Sequence, residues 1–540
     1  MVLVDNKNLW KSVSLKNYKV SYTGFTDEID DVINGIDDFD SNNILSKLRH
    51  LLDEKMPHGS VIMESKFFIL AFVDHFGCYP IYFSNTDDFF VSNNARRIHE
   101  YKNNKLNFNW SDKSTNEFIM SGYVTGPDTL IKEIKKMQSG ELLIYNKKSK
   151  SLETERYYRY SPNPDNSKND EFWIDQLEQV LNNVTKRMIK RADNRPIRVT
   201  LSAGLDSRLL ICKLHEFDYK NIEVFSYGPK WNWEAIGAKK VAKILNVPWK
   251  MVSLSHKNAK KVFWTQERKD YWKFSDGLSA IANFQEYLPL SIIKNNNLIP
   301  DDSVLINGQS GDFITGGHIP NSLKSGKGNI NDILDGIINK HYSLRLDMLT
   351  QDNIDFIKKK VLKLMGIDNG EALSNEELIS IYERWECEER QVKWVIHGQR
   401  AQDFFGYSWQ IPLWDIELAK FYEKVPVHLK LNQNLYKLYL EKWNYKGLYK
   451  DFNPVVWRWP GISILVVPIA KIVGILLGKK AKKSWYELFY YWGHGMEHYA
   501  PYTYWEYFKD RKIIRNFIPL HIKTWLVENN LLVSYVTNKD

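Results

Sequence analysis

The chain has 540 residues, 43% apolar and 14% aromatic, too many for one ordinary core and too hydrophobic for a disordered chain, so two or three folded units are expected. A net charge of +9 suits anionic ligands without calling for nucleic acid, and no recognition helix, zinc spacing or RNP-like aromatic motif is present. Cys78, Cys212 and Cys387 lie far apart without CxxC spacing, as buried thiols in a reducing compartment would. Met1-Val2-Leu3-Val4-Asp5 has no signal-like apolar run, so a cytoplasmic location is expected.

Residues 1–160 read as a β-rich domain, with apolar, β-prone runs at 67–74 (FFILAFVD), 80–84 (PIYFS) and 88–92 (DFFVS). The stretch 161–170 is polar, carries two prolines and has no apolar period, and reads as a linker to a second domain over 171–450. Phe172, Ile174, Leu177, Val180, Leu181, Val184 and Met188 then follow helical spacing. The run from Arg198 to Leu210 reads as a short strand, a tight small-residue turn and a helix start. A helix over 209–216, a strand over 221–226 and a helix over 234–245 come next. That alternation predicts a doubly wound parallel sheet with ligands at the strand C-termini.

Ser202 to Ser207 present consecutive backbone amides and two hydroxyls at a helix N-terminus, which binds an anion through unpaired donors and the helix dipole. Gly204 is expected to supply the unusual backbone angles of such a cradle. Asp206 would repel a phosphate unless a cation lies between them, and Mg²⁺ accounts for it. The GxxxxGK[ST] loop is excluded: no lysine follows the turn, and Asn321 stands where the first glycine should precede Gly326-Lys327. A second chemical stretch, 304–318, runs from a strand into Gly308, Gly311, Gly316 and Gly317, with Asp312 as a second carboxylate for Mg²⁺.

Together these loops carry a resemblance to a family. Ser202-Ala203-Gly204-Leu205-Asp206-Ser207 resembles the SGGxDS pyrophosphate loop of N-type ATP pyrophosphatases. Gly308, Asp312, Gly316 and Gly317 match the L-S-G-E-G-x-D-E-x-F-G-G-Y signature of asparagine synthetases. Ile411-Pro412-Leu413-Trp414-Asp415 is similar to V-P-F-L-D of that family. Val425 to Lys430 and Lys437 to Leu440 are similar to L-P-x-x-x-K and K-x-x-L-R, with Glu441 in place of the arginine. Ala71 to Tyr82 resembles the D-x-x-G-x-x-P-L-Y-Y segment of class II glutamine amidotransferase domains, and 122–140 resembles a later part of that domain.

The resemblance implies an α+β, Ntn-like, β-rich N-terminal domain (1–160), an α/β doubly wound parallel-sheet ATP pyrophosphatase domain (171–450) and a helical, aromatic-rich C-terminal extension (451–540). It implies ATP and Mg²⁺, with Ser202, Gly204 and Ser207 holding pyrophosphate and Gly308 also binding nucleotide. Tyr227 lies where the family contacts adenine, and Asp206 and Asp312 would hold Mg²⁺. Lys437 would stabilise charge on the adenylate and leaving pyrophosphate, making Lys437, Asp206 and Asp312 the catalytic set.

Departures from the pattern alter the expectation. Val2 stands where the glutaminase keeps its N-terminal cysteine, no cysteine precedes Cys78, no N-G-E segment is found, and Val73 replaces an arginine. A domain without glutaminase activity, serving as a remnant or docking module, is expected. Trp233 replaces the aspartate of the D-E pair whose glutamate is Glu234, and Phe313 replaces the signature's second acid. Gln309 replaces the glutamate implicated in orienting or deprotonating the attacking amine, leaving Glu286 and His318 as substitutes to be ranked.

The implied reaction is ATP-dependent amide formation through an acyl-adenylate, with release of AMP and pyrophosphate. The acceptor would be a small-molecule or glycan carboxylate, such as a sugar carboxylate in surface-polysaccharide synthesis. Ammonia, an amine or a partner glutaminase would supply nitrogen. The alternatives are a lasso-peptide-type macrolactam cyclase, an asparagine synthetase proper, and a non-catalytic nucleotide-binding scaffold.

In the C-terminal region, 461–478 (GISILVVPIAKIVGILLG) is strongly apolar and is followed by Lys479-Lys480-Ala481-Lys482-Lys483. Pro468 and Lys471 interrupt it, and it falls short of the ~20 apolar residues a membrane span requires. Two readings remain: a buried helical hairpin over the substrate pocket, which is preferred, or an interfacial segment (461–483) whose basic flank meets anionic lipid at the inner face of the membrane. His494 and His498 share a helical face, but no glutamate follows at metalloprotease spacing, so coincidence is favoured.

Overall fold

Phe68–Val73 reads FILAFV without a polar break because both faces of that strand are covered, as the computed structural model makes plain. The structure describes the chain apart from residues 6–8, 16, 37–43, 85, 87, 104–108, 230–231, 327, 368–372, 454–462, 492–500 and 532–540. His494 and His498, the start of the apolar segment at 461–462, and Lys327 therefore lie outside the described residues.

Strands β1 (Lys11–Ser14), β2 (Lys19–Gly24), β3 (Gly59–Glu64), β4 (Phe68–Val73), β8 (Glu141–Asn146) and β9 (Ser151–Arg156) form an antiparallel sheet in that order. A second sheet pairs β5 (Tyr82–Ser84) with β6 (Val91–Ser92) and β7 (Ile134–Lys136). Alternation along β4 sorts its side chains: Ile69, Ala71 and Val73 join Ile81, Phe83 and Val91 in the layer with the smaller sheet. Leu70 and Phe72 face the other way, with Ile29, Val32 and Leu48 of helices Thr26–Ile36 and Ile44–Lys55.

The linker expectation for 161–170 is corrected in one respect. Asn163 and Asp165 donate backbone hydrogen bonds to the carbonyls of Glu423 (2.7 Å) and Lys424 (2.8 Å), so this stretch is strapped over the end of helix Ile416–Lys424. Those carbonyls belong to a last helical turn that has no partners of its own. Polar composition here signals backbone capping, not free chain.

Beyond the strap lies a five-stranded parallel sheet, β10 (Ile197–Thr200), β11 (Ile222–Gly228), β12 (Trp249–Ser253), β13 (Val304–Ile306) and β14 (Ser408–Gln410), ordered β12-β11-β10-β13-β14. The spatial order reverses between β10 and β13. In a doubly wound sheet the crevice outside the strand C-termini at that point is where ligands bind. Register pairs Ile197 with Val304 and Val199 with Ile306, so the two chains leave the sheet side by side.

The C-terminal helix Ile518–Glu528 is built into the molecule. Trp525, 1% exposed, donates from Nε1 to Asp276 (2.8 Å), which also takes Arg96 (3.0 Å) from the N-terminal part. The wholly buried Arg268 lies over Phe263 and Trp272 and donates to both oxygens of Glu528 at 2.7 and 2.8 Å. Glu528→Ala strands that guanidinium, and urea unfolding is expected to show a loss of about 2 kcal/mol, below the full cost of breaking a buried pair because Glu528 is partly exposed. An unchanged midpoint would show the pair to be unimportant.

The buried reading of the apolar segment fails. Helix Ser463–Tyr490 doubles back at Gly478 (φ 82°, ψ 177°) as a hairpin, but Ile475 is 83% exposed and Leu476 and Leu477 are each 73% exposed. Among the described residues no helix is long and apolar enough to cross a membrane.

Candidate active site

Both glycine-bearing loops leave the sheet at the switch point and touch. After β10 the chain turns through Ser202-Ala203-Gly204 into helix Leu205–Glu216, whose first turn no side chain caps. Ser207 Oγ accepts the Ser202 backbone amide at 3.1 Å and meets Ser202 Oγ at 3.1 Å, while Ser202 Oγ accepts the Gly204 amide at 3.1 Å. Two hydroxyls and the helix N-terminus thus converge on one small cradle. Gly204 is a correction: its φ of −67° and ψ of 168° are open to any residue, and an added Cβ would meet only Ser202 Oγ, at 3.2 Å. Its exposure, not its backbone angles, distinguishes it.

Glycine is obligatory on the facing loop instead. A Cβ on Gly308 would stand 2.7 Å from the Ser207 amide nitrogen, and one on Gly311 would stand 2.4 Å from the Asp206 carboxyl carbon. The second loop therefore lies directly against the first. Asp312 lies in the first turn of the short helix Gly311–Ile314 and is exposed, with Oδ1 accepting from Gln433 Nε2 at 3.2 Å; that same amide donates to Thr315 Oγ1 at 2.7 Å.

Burial, reinforced by the Asp312 charge, pushes the Asp206 carboxyl up to about 7. The nearby Tyr436 hydroxyl opposes that shift, yet neither it nor Asp206 Oδ1 has a hydrogen bond of normal geometry. A desolvated carboxylate with an unpartnered oxygen, beside a second carboxylate, is a donor set suited to a hard divalent cation. The residues fit Mg²⁺.

Tyr227, at the end of β11, donates from its hydroxyl to Glu286 Oε1 at 3.2 Å. Gln309 Nε2 donates to the same oxygen at 3.2 Å, while its own Oε1 accepts from Gln399 Nε2 at 2.6 Å. With both ends engaged, the Gln309 amide acts as a clamp on Glu286. Burial pushes the Glu286 carboxyl up to about 7, against the Tyr227 hydrogen bond. His318, the other substitute considered, is paired with Glu386, a carboxylate that also takes Lys340 (3.3 Å) and the Tyr382 hydroxyl. Of the two, only Glu286 faces the loop through Gln309.

Lys437 is the predicted residue that stands apart. It is exposed on helix Asn434–Trp443, and its ammonium donates to the Asn432 carbonyl at 2.7 Å rather than to either aspartate. Gln433, one turn earlier, makes the contact with Asp312.

Sequence reasoning missed the supports of the second loop. The π-helix Glu386–Val395 and the turn after it aim side chains inward: Ser310 donates to Gln391 (3.0 Å), and Asn307 donates to Gln399 (3.1 Å). The only signal was an unusually polar stretch, ECEERQVKWVIHGQR, in a segment whose helical period is disturbed.

A cavity of about 260 Å³ lies at the start of helix Phe284–Asn295, lined by Asn283, Phe284 and Gln285 and by Trp394, Tyr490 and His521; Glu286, the next residue, does not line it. Burial lowers His521 to about 3, so it is neutral there.

Among solved structures the chain is similar to glutamine phosphoribosylpyrophosphate amidotransferase from B. subtilis, complexed with ADP and GMP, at 10% identity. That match covers 56% of this chain and 64% of that one, with a TM-score of 0.19. Similarity to a structure described as the allosteric regulatory enzyme of purine biosynthesis is 11%, over 57% and 59% of the two chains, also with a TM-score of 0.19. The chain thus spans less than two thirds of the length of these structures, and likeness at that level bears on neither activity nor fold detail. No curated protein matches the chain significantly. The sequence profile described as asparagine synthase matches residues 176–449, which takes in both loops, the π-helix and Lys437. The chain belongs to the asparagine synthase family, whose members are ATP-dependent carbon–nitrogen ligases.

Proposed function

We propose that the chain activates a carboxylate with ATP as an acyl-adenylate, releasing pyrophosphate, and passes the acyl group to nitrogen with release of AMP. The observation that supports this reading is the contact of the two loops at Gly308 and Gly311, which packs the second loop against Asp206 and Ser207 of the first. The Ser202 and Ser207 hydroxyls and the first amides of helix Leu205–Glu216 orient the pyrophosphoryl group. Asp206 and Asp312 would hold Mg²⁺, which would supply neutralisation of charge on the phosphate oxygens. Tyr227 borders the nucleotide at the end of β11. Lys437, exposed on a flexible stem, swings from the Asn432 carbonyl to the charge that builds on the leaving group. Glu286, clamped by Gln309 and Tyr227, takes the proton of the attacking amine.

Nitrogen comes from ammonia, a substrate amine or a separate glutaminase. All three cysteines are buried, and burial pushes the Cys78 thiol well up, so none is a ready thiolate. The carboxylate belongs to a small molecule or glycan. Carboxylate-dependent exchange of labelled pyrophosphate into ATP is the expected result across a set of sugar acids, amino acids and peptides. Exchange with none of them, in protein that binds ATP, would overturn the proposal in favour of a scaffold.

A further inference from the structure

The exposed hairpin Ser463–Tyr490 stands beside a cavity of the C-terminal region. Its apolar tip, Ile475-Leu476-Leu477, projects at the Gly478 turn, and Leu465 and Ile472 on the same arm are 66% and 55% exposed. So large a group of bare aliphatic side chains on one element marks an interaction surface. Directly after the turn come Lys479, Lys480, Lys482 and Lys483. Lys479, Lys482 and Lys483 also line a cavity of about 650 Å³ together with Arg511, Lys512 and Arg515. Glu487 is the one acid on its wall, 3.8 Å from Lys483. Arg515 and Arg511 are partly committed, Arg515 donating to the Asn339 and Lys340 carbonyls and Arg511 to the Phe508 carbonyl. The remaining cations present a positive concavity at the foot of an apolar finger.

We propose that this face docks on an anionic phospholipid surface, with the tip entering the apolar layer and the basic cavity taking phosphoryl headgroups. Charge complementarity points to the occupant: a lipid leaflet offers apolar depth for the exposed tip and a dense layer of phosphate at its rim for the cations at its foot. Tyr490 and Asn516 line both this cavity and the 260 Å³ cavity. The two cavities thus share a wall, and the substrate class that fits a membrane-docked ligase is an anionic, lipid-borne carboxylate or amine. That last step rests on the ligase reading; docking itself does not.

Flotation of the full chain with phosphatidylcholine vesicles containing phosphatidylglycerol tests it. Expected is flotation that weakens at least about tenfold on vesicles of phosphatidylcholine alone and fades with added salt. Ile475→Ser, Leu476→Ser and Leu477→Ser together, or Lys479→Gln, Lys482→Gln and Lys483→Gln together, should each abolish flotation with an unchanged unfolding midpoint, since these tip and flank residues lie at the surface. No flotation on anionic vesicles, equal flotation on neutral ones, or variants that float like the parent would overturn the proposal. So would a dimer held by the tip, or binding of inorganic phosphate without vesicles that the Lys479, Lys482 and Lys483 substitutions abolish. Because flotation needs no turnover, its failure leaves pyrophosphate exchange untouched, and failure of exchange leaves flotation untouched.

Discussion

Asp206→Asn is expected to cut carboxylate-dependent ATP–pyrophosphate exchange by at least about a hundredfold while the protein stays folded. The amide keeps the size of the side chain and removes the charge that makes this position a cation ligand. Asp206 carries more of that role than Asp312, because it is partly desolvated, has an unpartnered oxygen and lies against Gly311. Asp312 is exposed and already accepts from Gln433, so Asp312→Asn should cost less, about tenfold. Without nucleotide or divalent cation, the unfolding midpoint of Asp206→Asn should not fall, since the change removes a poorly solvated charge beside a like charge. Exchange within a few-fold of the parent would sink the metal assignment. A collapse of the midpoint alongside lost exchange would instead assign Asp206 a packing role.

How much of this site was legible follows from what each residue answers to. The loops at 202–207 and 307–317 stood out because a switch-point ligand site confines its glycines, small hydroxyls and carboxylates to short runs after apolar strands. The continuous FILAFV run announced a strand buried on both faces but could not say which layers covered it. Gly204 was over-read because motif glycines differ in purpose: Gly308 and Gly311 exist for close approach, and only the facing loop shows that. The buried placement preferred for 461–478 failed at Ile475, Leu476 and Leu477 because hydropathy reports affinity for an apolar phase, not whether the fold supplies one. Glu286 could only be ranked against His318 once Gln309 was placed, since they lie 23 positions apart and meet through one hydrogen bond. Gln391 and Gln399 were invisible for the same reason: their partners, Ser310 and Gln309, are 81 and 90 residues away.

Glu286→Gln is expected to leave ATP–pyrophosphate exchange within a few-fold of the parent and to slow amide formation by about a hundredfold or more. Activation of the carboxylate involves no proton transfer from an amine, so a base is needed only after the adenylate has formed. Gln309 cannot be that base, because its amide lacks basicity and both of its ends are hydrogen-bonded. Glu286 is held at the same place by that amide and by Tyr227, with burial raising its carboxyl to about 7. The direction of the pH dependence follows. Below about 7 the carboxyl is protonated and cannot accept a proton; above it the carboxylate is ionised, so amide formation should rise with pH and level off past about 7. Pyrophosphate exchange should lack this limb, Glu286→Gln should erase it, and Glu286→Asp should restore part of the rate. A purely structural Glu286, acting through Tyr227, predicts a different split. Exchange and amide formation would then fall together, with a raised KM for ATP and the limb near 7 preserved in the residual activity.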